Sequence, residues 1–512
     1  MKSNIQLKYS NYVAFSYFHG YAVNNPGIAM ISGEAHITYK ELWEKSDILA
    51  GYIKEKYGDT HTPVIVWGHK NPMMLVVFLA CVKSGRAYVP VDTSVPRNRV
   101  EAIIDSVQPD VIISTEEFMS YESYSAIQLA TDSSIFERKY VITESDYIKE
   151  DDVYYIIFTS GSTGTPKGVQ ITYQSLNNFV EWALSLGSKG KQNKTFINQA
   201  PFSFDLSVMD LYMSLCSESC LFCLEKGIQT DYKKLFSALK ESMTNVWVST
   251  PSFADLCLAD DSFNQELLPK MELFLFCGET LTNKTVSNLL KRFPRAEIYN
   301  TYGPTESTVA VTEVCVDDAI NEKYNPLPVG KSKSGTMIKI MNGDLELSDG
   351  EKGEVVIIGN TVSAGYFNNP EETQRRFFMY EKDGEKLAAY RTGDKGYIQD
   401  GQLFYCGRID LQIKLHGYRM EIEDVEKNLM KVSKVKQAVV IPIWENEKVK
   451  YLKGVCVYDE PVESGFKIQK KIREEMSQFV PDYMIPRKIQ FVNEIPMTAN
   501  GKADRKRIQE ME

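Results

Sequence analysis

The chain has 512 residues, of which 43% are hydrophobic and 25% are charged, and its formal net charge is -10. This composition is typical of globular proteins, and the length exceeds what one hydrophobic core usually supports, so we expect at least two domains. The acidic balance argues against a nucleic-acid partner, because phosphate neutralisation needs a basic surface.

Short apolar runs alternate with amphipathic segments along most of the chain. We predict strands at 64–68, 87–92, 110–114, 245–250, 272–279 and 296–300, and helices at 73–83, after Pro96 and at 282–292. This alternation is typical of βαβ units around a largely parallel sheet. We therefore expect an α/β fold, in which a large N-terminal domain layers mixed and parallel sheets with helices.

The pattern changes near residue 400. Residues 401–432 indicate a strand, a turn and a second strand followed by a charged helix, and two further apolar strands and a helix rich in Lys and Glu come after them. This order predicts a small α+β domain. We place the boundary so that the domains are 1–408 and 409–512.

Three of the nine cysteines, Cys216, Cys220 and Cys223, have a spacing that could hold an iron–sulfur cluster. Cys220 and Cys223 lie in an apolar run typical of a buried strand, where successive side chains point to opposite faces. An odd number of cysteines also suits scattered thiols better than a disulfide framework. We therefore favour buried thiols over a cluster.

Residues 153–172 form the most informative segment. A buried strand ending at Phe158 is followed by a loop rich in Gly, Ser and Thr that also carries Lys167. Backbone N–H groups, hydroxyls and a cation could together bind a phosphate. A Walker A loop is excluded, because Pro166 precedes this lysine and Gly168 follows it. The composition alone would suit a flexible surface loop, but a loop that begins directly after an apolar strand has less conformational freedom than a linker.

This loop resembles the phosphate-contacting loop of the adenylate-forming superfamily, which includes acyl-CoA synthetases, luciferases and amino-acid adenylation domains. Other motifs of that superfamily follow in order: NTYGPTE at 300–306, YRTGD at 390–394, YCGRIDLQIKLHGYRME at 405–421 and TANGKADRKR at 498–507. The resemblance covers essentially the whole chain. It implies an enzyme that uses ATP to convert a carboxylic acid into its adenylate.

The resemblance also implies a role for individual residues. Lys502 would be the catalytic lysine that bridges carboxylate and phosphate, and Glu306 would position Mg²⁺. Asp394 would hold the ribose hydroxyls, Arg408 would contact the ribose, and Tyr302 would stack on the adenine. The small domain would rotate about a hinge at Asp410 between two half-reactions. The matching positions expected to contact ATP are Thr159, Ser160, Gly161, Thr163, Lys167, Asn300, Thr301, Tyr302, Gly303, Pro304, Thr305, Asp394, Tyr405, Cys406, Gly407, Arg408 and Lys502.

Asp205 stands in an otherwise largely apolar stretch, FSFDLSVMDLY. A buried carboxylate needs a cation or several donors, and the ammonium group of an amino-acid substrate would provide a cation. The alternative is that Asp205 only caps a helix beginning at Leu206. The sequence leaves both interpretations open.

Several segments resemble the D-alanine–D-alanyl carrier protein ligase group in particular, among them FSFDLSVMDLY, FCGETL and NTYGPTESTVAVT. In that group the position matching Asp205 binds the amine, the position matching Cys277 favours the D-form, and the position matching Val309 lines the pocket. Together with Lys502, these residues would form the D-alanine site.

The resemblance implies that D-alanine is activated and transferred to the phosphopantetheine thiol of a carrier protein supplied in trans, for lipoteichoic acid D-alanylation. The alternatives are an adenylating enzyme for another small amino acid, an acid–CoA ligase, and a fold that has lost its chemistry. The amino terminus lacks a signal-peptide pattern and no apolar run approaches a membrane span. We expect a cytoplasmic monomer without membrane insertion.

Overall fold

The fold was examined in a computed structural model, which describes residues 20, 22, 27–118, 126–129, 132–161, 166–415, 417–445, 448–460, 465–497 and 503–511. Thr163 and Lys502 lie outside these residues. The strands, in chain order, are β1 (Ile28–Ser32), β2 (Ala35–Thr38), β3 (Val64–Trp67), β4 (Tyr88–Val91), β5 (Ile112–Ser114), β6 (Ala126–Gln128), β7 (Val153–Thr159), β8 (Lys167–Thr172), β9 (Thr195–Asn198), β10 (Cys220–Cys223), β11 (Val246–Ser249), β12 (Leu273–Phe276), β13 (Glu297–Tyr302), β14 (Thr312–Cys315), β15 (Lys331–Ser332), β16 (Thr336–Asn342), β17 (Leu345–Glu346), β18 (Gly353–Gly359), β19 (Phe377–Lys382), β20 (Glu385–Gln399), β21 (Gln402–Arg408), β22 (Gln412–Leu415), β23 (Tyr418–Glu421), β24 (Val435–Glu445), β25 (Lys448–Tyr458) and β26 (Lys488–Phe491).

The α-helices are α1 (Tyr39–Tyr57), α2 (Met73–Lys83), α3 (Arg97–Val107), α4 (Tyr173–Ser185), α5 (Leu206–Leu215), α6 (Lys226–Gln229), α7 (Tyr232–Ser242), α8 (Pro251–Leu258), α9 (Asn283–Arg292), α10 (Asp318–Lys323), α11 (Pro370–Arg376), α12 (Ile422–Leu429), α13 (Gly465–Met476) and α14 (Arg505–Gln509). Across the described residues, none of the helices combines the length and apolar character that crossing a membrane requires.

The density of internal contacts divides the chain into two compact units. The larger unit comprises Met1–Asp92, Val107–Ile157 and Gly168–Gly407, and the smaller unit comprises Thr93–Ser106, Phe158–Lys167 and Arg408–Glu512. The sequence did not predict that two early segments belong with the carboxy-terminal part. The domain boundary at 408–409 itself stays a prediction.

The larger unit contains three sheets. Their strand orders are β15-β14-β13-β12-β11-β9-β10-β1-β2, β6-β5-β3-β4-β7-β8, and β17-β16-β18-β20-β19 with β21 paired to β20. The first two sheets are largely parallel, as the alternating pattern predicted, and buried strands such as β3 and β12 are apolar along their whole length. Parallel strands covered on both faces have this composition. A continuous apolar core joins residues of these two sheets and of the helices between them.

The smaller unit has its own core, built from β22 and β23, the three-stranded sheet β24-β25-β26, and helices α12 and α13. The strand–turn–strand and charged helix predicted at 401–432 correspond to β22, β23 and α12. Helix α3 joins this unit through its first turn, where Asn98 Nδ2 donates to the carbonyl of Phe479 at 3.1 Å. Arg99 lies 3.6 Å from the buried carboxylate of Asp424.

The predicted elements agree with the observed ones except at some of their ends. The strand predicted to end at Asn300 continues to Tyr302, because β13 also pairs with antiparallel β14, in a register that sets Tyr302 opposite Thr312. The strand predicted to end at Phe158 continues to Thr159. The extension of β13 depends on pairing with a strand further along the chain, which local periodicity does not contain.

The cysteine trio is a set of thiols rather than a cluster. Cys216 follows helix α5, and Cys220 and Cys223 are the first and last residues of β10. Burial raises the pKa of Cys220 to about 12, which disfavours the thiolate that a metal needs. Within the described residues, no group of three or more His, Cys, Asp or Glu side chains is arranged to hold a metal ion.

Candidate active site

Several predicted substrate and nucleotide residues of the larger unit lie at or after the carboxyl ends of neighbouring parallel strands. Strands β13, β12, β11 and β9 are adjacent and parallel, so the loops that leave them emerge at one edge of the sheet. Thr301 at the end of β13 donates its hydroxyl to the carbonyl of Phe276 at 2.9 Å, and Asn300 donates to the carbonyl of Pro328 at 2.8 Å. Ligands of open α/β sheets bind at such an edge.

Asp205 precedes helix α5, but its side chain makes no capping hydrogen bond to that helix. Instead, its Oδ2 accepts a hydrogen bond of 2.6 Å from the Thr305 hydroxyl, although the two residues are 100 positions apart in the chain. The helix-cap interpretation therefore does not account for Asp205. A partly exposed carboxylate is held beside the NTYGPTE segment, with its orientation set by a neutral donor.

The pocket residues Cys277 and Val309 are in contact. The Cys277 thiol donates to the Val309 carbonyl at 3.7 Å, and both side chains are buried. Thr308 and Val309 both have left-handed backbone conformations, with φ of 62° and 66°. Such φ values are unusual for β-branched residues and store conformational energy. The Cys277 thiol is therefore hydrogen-bonded to a buried, strained turn formed by Thr308 and Val309.

Gly303 allows this turn to approach β13 closely. A Cβ atom added at Gly303 would lie 2.6 Å from Cα of Ala310 and 2.9 Å from the carbonyl oxygen of Val309. Because both neighbours are backbone atoms, a larger residue would displace the turn. The glycine of the NTYGPTE motif therefore has a packing role in addition to any contact with the nucleotide.

Tyr302 and Asp394, expected at the adenine and the ribose, are joined directly. The Tyr302 hydroxyl donates to Asp394 Oδ2 at 2.5 Å, and both residues are buried. Burial, reinforced by the neighbouring carboxylate of Asp394, raises the pKa of Tyr302 well above its ordinary value, so the phenol keeps its proton. The ring of Tyr405 lies 6.0 Å from that of Tyr302. Asp394 is further positioned by its own N–H, which donates to Thr392 at 2.9 Å.

Glu306, expected at Mg²⁺, has only 1% of its surface exposed. Its Oε1 accepts a hydrogen bond of 2.7 Å from the Tyr366 hydroxyl. Magnesium commonly binds through one or two carboxylates together with phosphate oxygens and water, so a single oriented carboxylate fits such an ion and needs no protein-only cluster. Tyr366 was missed by the sequence analysis, because it lies outside every motif that carried the resemblance.

In the smaller unit, hydrogen bonds connect Ser160 of the predicted phosphate loop to residues around the predicted hinge. The Ser160 hydroxyl donates to the carbonyl of Arg419 at 3.1 Å. Arg408 donates to both carboxylate oxygens of Asp410, from Nε at 2.8 Å and from a terminal nitrogen at 2.7 Å. Gln412 donates to Glu421 at 2.5 Å and accepts from Arg419 at 2.6 Å. Arg408, predicted at the ribose, is thus bound to the predicted hinge residue.

The remaining predicted nucleotide residues occupy three short segments. Thr159 and Gly161 flank Ser160, Lys167 begins β8, and Pro304 separates Gly303 from Thr305. Cys406 and Gly407 lie in β21, after Tyr405. The roles assigned to these residues, and to Thr163 and Lys502, stay predictions.

Residues 19–367 match the AMP-binding enzyme family, and residues 424–502 match the AMP-binding enzyme C-terminal domain. The D-alanine–D-alanyl carrier protein ligase of Bacillus cytotoxicus is 47% identical over 485 residues, which cover 94% of this chain and 95% of that protein. A protein of the same name from Bacillus cereus is 45% identical over 496 residues, with coverage of 95% and 97%.

Solved structures share the fold at lower identity. Holo-PA1221, an NRPS protein containing adenylation and PCP domains, gives a TM-score of 0.83 at 23% identity, over 98% of this chain and 84% of that chain. The o-succinylbenzoate CoA synthetase of Bacillus subtilis gives 0.82 at 19% identity, over 97% and 98%. The Vibrio cholerae adenylation domain AlmE, in complex with glycyl-adenosine-5'-phosphate, gives 0.79 at 21% identity, over 98% and 97%.

Proposed function

This chain belongs to the AMP-binding enzyme family, and from that premise we propose that it is a ligase that activates D-alanine with ATP and transfers it to a carrier protein. In the first half-reaction a carboxylate oxygen of D-alanine attacks the α-phosphorus of ATP, and diphosphate leaves. In the second, the carrier thiol attacks the carbonyl carbon of the adenylate, and AMP leaves. D-alanylation of lipoteichoic acid is the pathway that this activity implies.

The hydrogen bond between Thr305 and Asp205 is the observation that carries the proposal. A hydroxyl donor fixes the direction of the carboxylate but adds no positive charge, so the carboxylate can still attract a substrate ammonium. Fatty-acid and aryl-acid substrates have no ammonium group. The arrangement therefore favours an amino acid over the substrates of acid–CoA ligases.

Cys277 and Val309 favour a small side chain. Both residues are buried, and the thiol is bonded to the Val309 carbonyl, so a site that they line would accept a methyl group more readily than a longer chain. One methylene in an apolar pocket is worth about 1–3 kcal/mol, so selectivity among small amino acids should be finite. The strong similarity to D-alanine–D-alanyl carrier protein ligases decides for the D-form.

Activation brings the substrate carboxylate and the α-phosphate of ATP together, and cations must offset the repulsion between these two anions. We assign this role to Lys502 and to Mg²⁺ positioned by Glu306, with Asp394 on the ribose and Tyr302 at the adenine. When bound, Mg²⁺ would neutralise phosphate charge. We further propose that the acceptor is a phosphopantetheinylated carrier protein supplied in trans, and that the enzyme is a cytoplasmic monomer.

Pyrophosphate exchange across small D- and L-amino acids tests the proposal. We expect the highest kcat/KM with D-alanine, exchange that depends on Mg²⁺, and aminoacylation of a holo carrier protein but not of its apo form. Stronger exchange with glycine, L-alanine or L-serine would identify an enzyme for another amino acid. Activity with acids that lack an amine, retained in Asp205→Ala, would identify an acid–CoA ligase instead.

A further inference from the structure

Both the backbone and the ring of Tyr366 make contacts that hold the residue in place. Its backbone N–H donates to Thr373 Oγ1 at 3.0 Å, and its ring packs edge-on against Phe377 at 5.5 Å. The preceding Gly365 has φ of 101°, and an added Cβ there would lie 2.6 Å from the Thr373 side chain. The turn and the ring together fix where the hydroxyl points.

The same turn is paired with the strand that follows the phosphate loop. Tyr366 bridges Val169 in antiparallel fashion, the N–H of Phe367 donates to Gly168 at 2.7 Å, and the N–H of Gln170 donates to Gly365 at 3.0 Å. Gly168 is the residue after Lys167 in the chain. Backbone hydrogen bonds therefore hold the turn that contains Tyr366 against the first residues after the loop. The Tyr366 hydroxyl in turn contacts Glu306.

From this geometry we infer that Tyr366 is a positioning residue, which orients the Glu306 carboxylate toward the divalent cation of the bound nucleotide. The inference rests on the proposed function, because it takes from it the role of Glu306. A carboxylate that is 1% exposed has few ways to reorient. Its 2.7 Å hydrogen bond from Tyr366 engages Oε1 and so restricts the orientation of the carboxylate. Groups that orient metal ligands in this way contribute to metal affinity.

The test variant is Tyr366→Phe, which retains the ring and its packing on Phe377 and removes only the hydroxyl. The matched control is Tyr88→Phe, which also removes a buried tyrosine hydroxyl, one that pairs with the Tyr212 hydroxyl at 2.9 Å. Binding of Mn²⁺ to the enzyme in the presence of α,β-methylene-ATP is measured by electron paramagnetic resonance. The Mg²⁺ concentration that half-saturates pyrophosphate exchange is measured in parallel.

We expect Tyr366→Phe to weaken Mn²⁺ binding by about 10- to 100-fold, the usual effect of losing a group that orients a ligand. The half-saturating Mg²⁺ concentration should rise by a similar factor, whereas Tyr88→Phe should leave both unchanged. A lower Tm with unchanged Mn²⁺ affinity would show a purely structural role and overturn the inference. If the wild type fails to use D-alanine, the proposed function fails, and the Mn²⁺ measurement still decides the role of Tyr366.

Discussion

The carboxylates of the candidate active site and three carboxylates of the smaller unit are held by different donors. In the larger unit, Asp205, Asp394 and Glu306 accept hydrogen bonds from the hydroxyls of Thr305, Tyr302 and Tyr366. In the smaller unit, guanidinium groups contact Asp410, Asp424 and Glu426, in the fork of Arg408 on Asp410 and the pairs Arg99–Asp424 and Arg505–Glu426.

This difference separates two tasks. A hydroxyl donor orients a carboxylate without cancelling its charge, which suits a site that receives an ammonium group or a metal ion. A guanidinium donor cancels the charge, and where the pair is partly exposed, as at Asp410 with 31% of its side chain accessible, water and salt screen it. We therefore expect the hydroxyl-held carboxylates Asp205 and Glu306 to bind cations in a fixed geometry, and the contacts of the predicted hinge residue Asp410 to exchange more readily.

Removing the proposed catalytic cation should have the largest effect. We expect Lys502→Ala to reduce adenylate formation by about 100- to 1,000-fold or more, because the negative charge of the transition state loses the cation that stabilises it. Transfer from pre-formed adenylate should be largely retained. Single-turnover assays of each half-reaction measure both steps, and Lys506→Ala, an exposed lysine of α14, is the control. Equal loss of both steps would contradict the assigned role.

The charge of Asp205 can be separated from its shape. Asp205→Asn keeps an oxygen that can accept from Thr305 but removes the negative charge. We expect the KM for D-alanine to rise about 100-fold, since losing one partner of a desolvated charge pair costs roughly 2–5 kcal/mol. Asp349→Asn, at an exposed position, is the control. A KM within threefold of wild type would mean that the carboxylate does not face the ammonium group.

The contact between Cys277 and the strained turn at Val309 can be removed by substitution. We expect Cys277→Ala to lower the D- to L-alanine ratio of kcat/KM about tenfold, because lost volume and a lost contact with the Val309 turn admit the other enantiomer. Cys257→Ala makes the same change at a buried cysteine in a different core cluster and should preserve the ratio. An unchanged ratio in Cys277→Ala would exclude this residue from the pocket.

The smallest of the expected effects is at Asp410, the predicted hinge residue. Asp410→Asn breaks the fork with Arg408, and a partly exposed ion pair contributes about 0–1 kcal/mol to the free energy of unfolding. Urea unfolding should therefore show a change below about 1 kcal/mol, while the ratio of the two half-reaction rates shifts. A large loss of stability would show that this network is a rigid part of the fold.

Local sequence predicted the α/β class and several of its elements, but not the sheet formed by β16 to β20. Continuous apolar runs predicted buried strands such as β3 and β12, and the change of pattern near 400 predicted the strand–turn–strand and helix of the smaller unit. Strand ends were less predictable: β13 continues to Tyr302 because of pairing with a strand downstream. The grouping of Thr93–Ser106 and Phe158–Lys167 with the carboxy-terminal part also arises from contacts far apart in the chain.

The candidate site divides in the same way. The sequence identified the chemical groups in advance, because Asp205 is a carboxylate in an apolar stretch, and Glu306 and Asp394 stand in motifs that resemble those of the adenylate-forming superfamily. Only the tertiary structure decided which hydroxyl meets which carboxylate, that Asp205 does not cap its helix, and that Thr308 and Val309 adopt left-handed conformations. The physical reason is separation along the chain: Thr305 and Asp205 are 100 residues apart, and Tyr366 and Glu306 are 60 apart. Such contacts form only when packing of the whole unit brings the segments together.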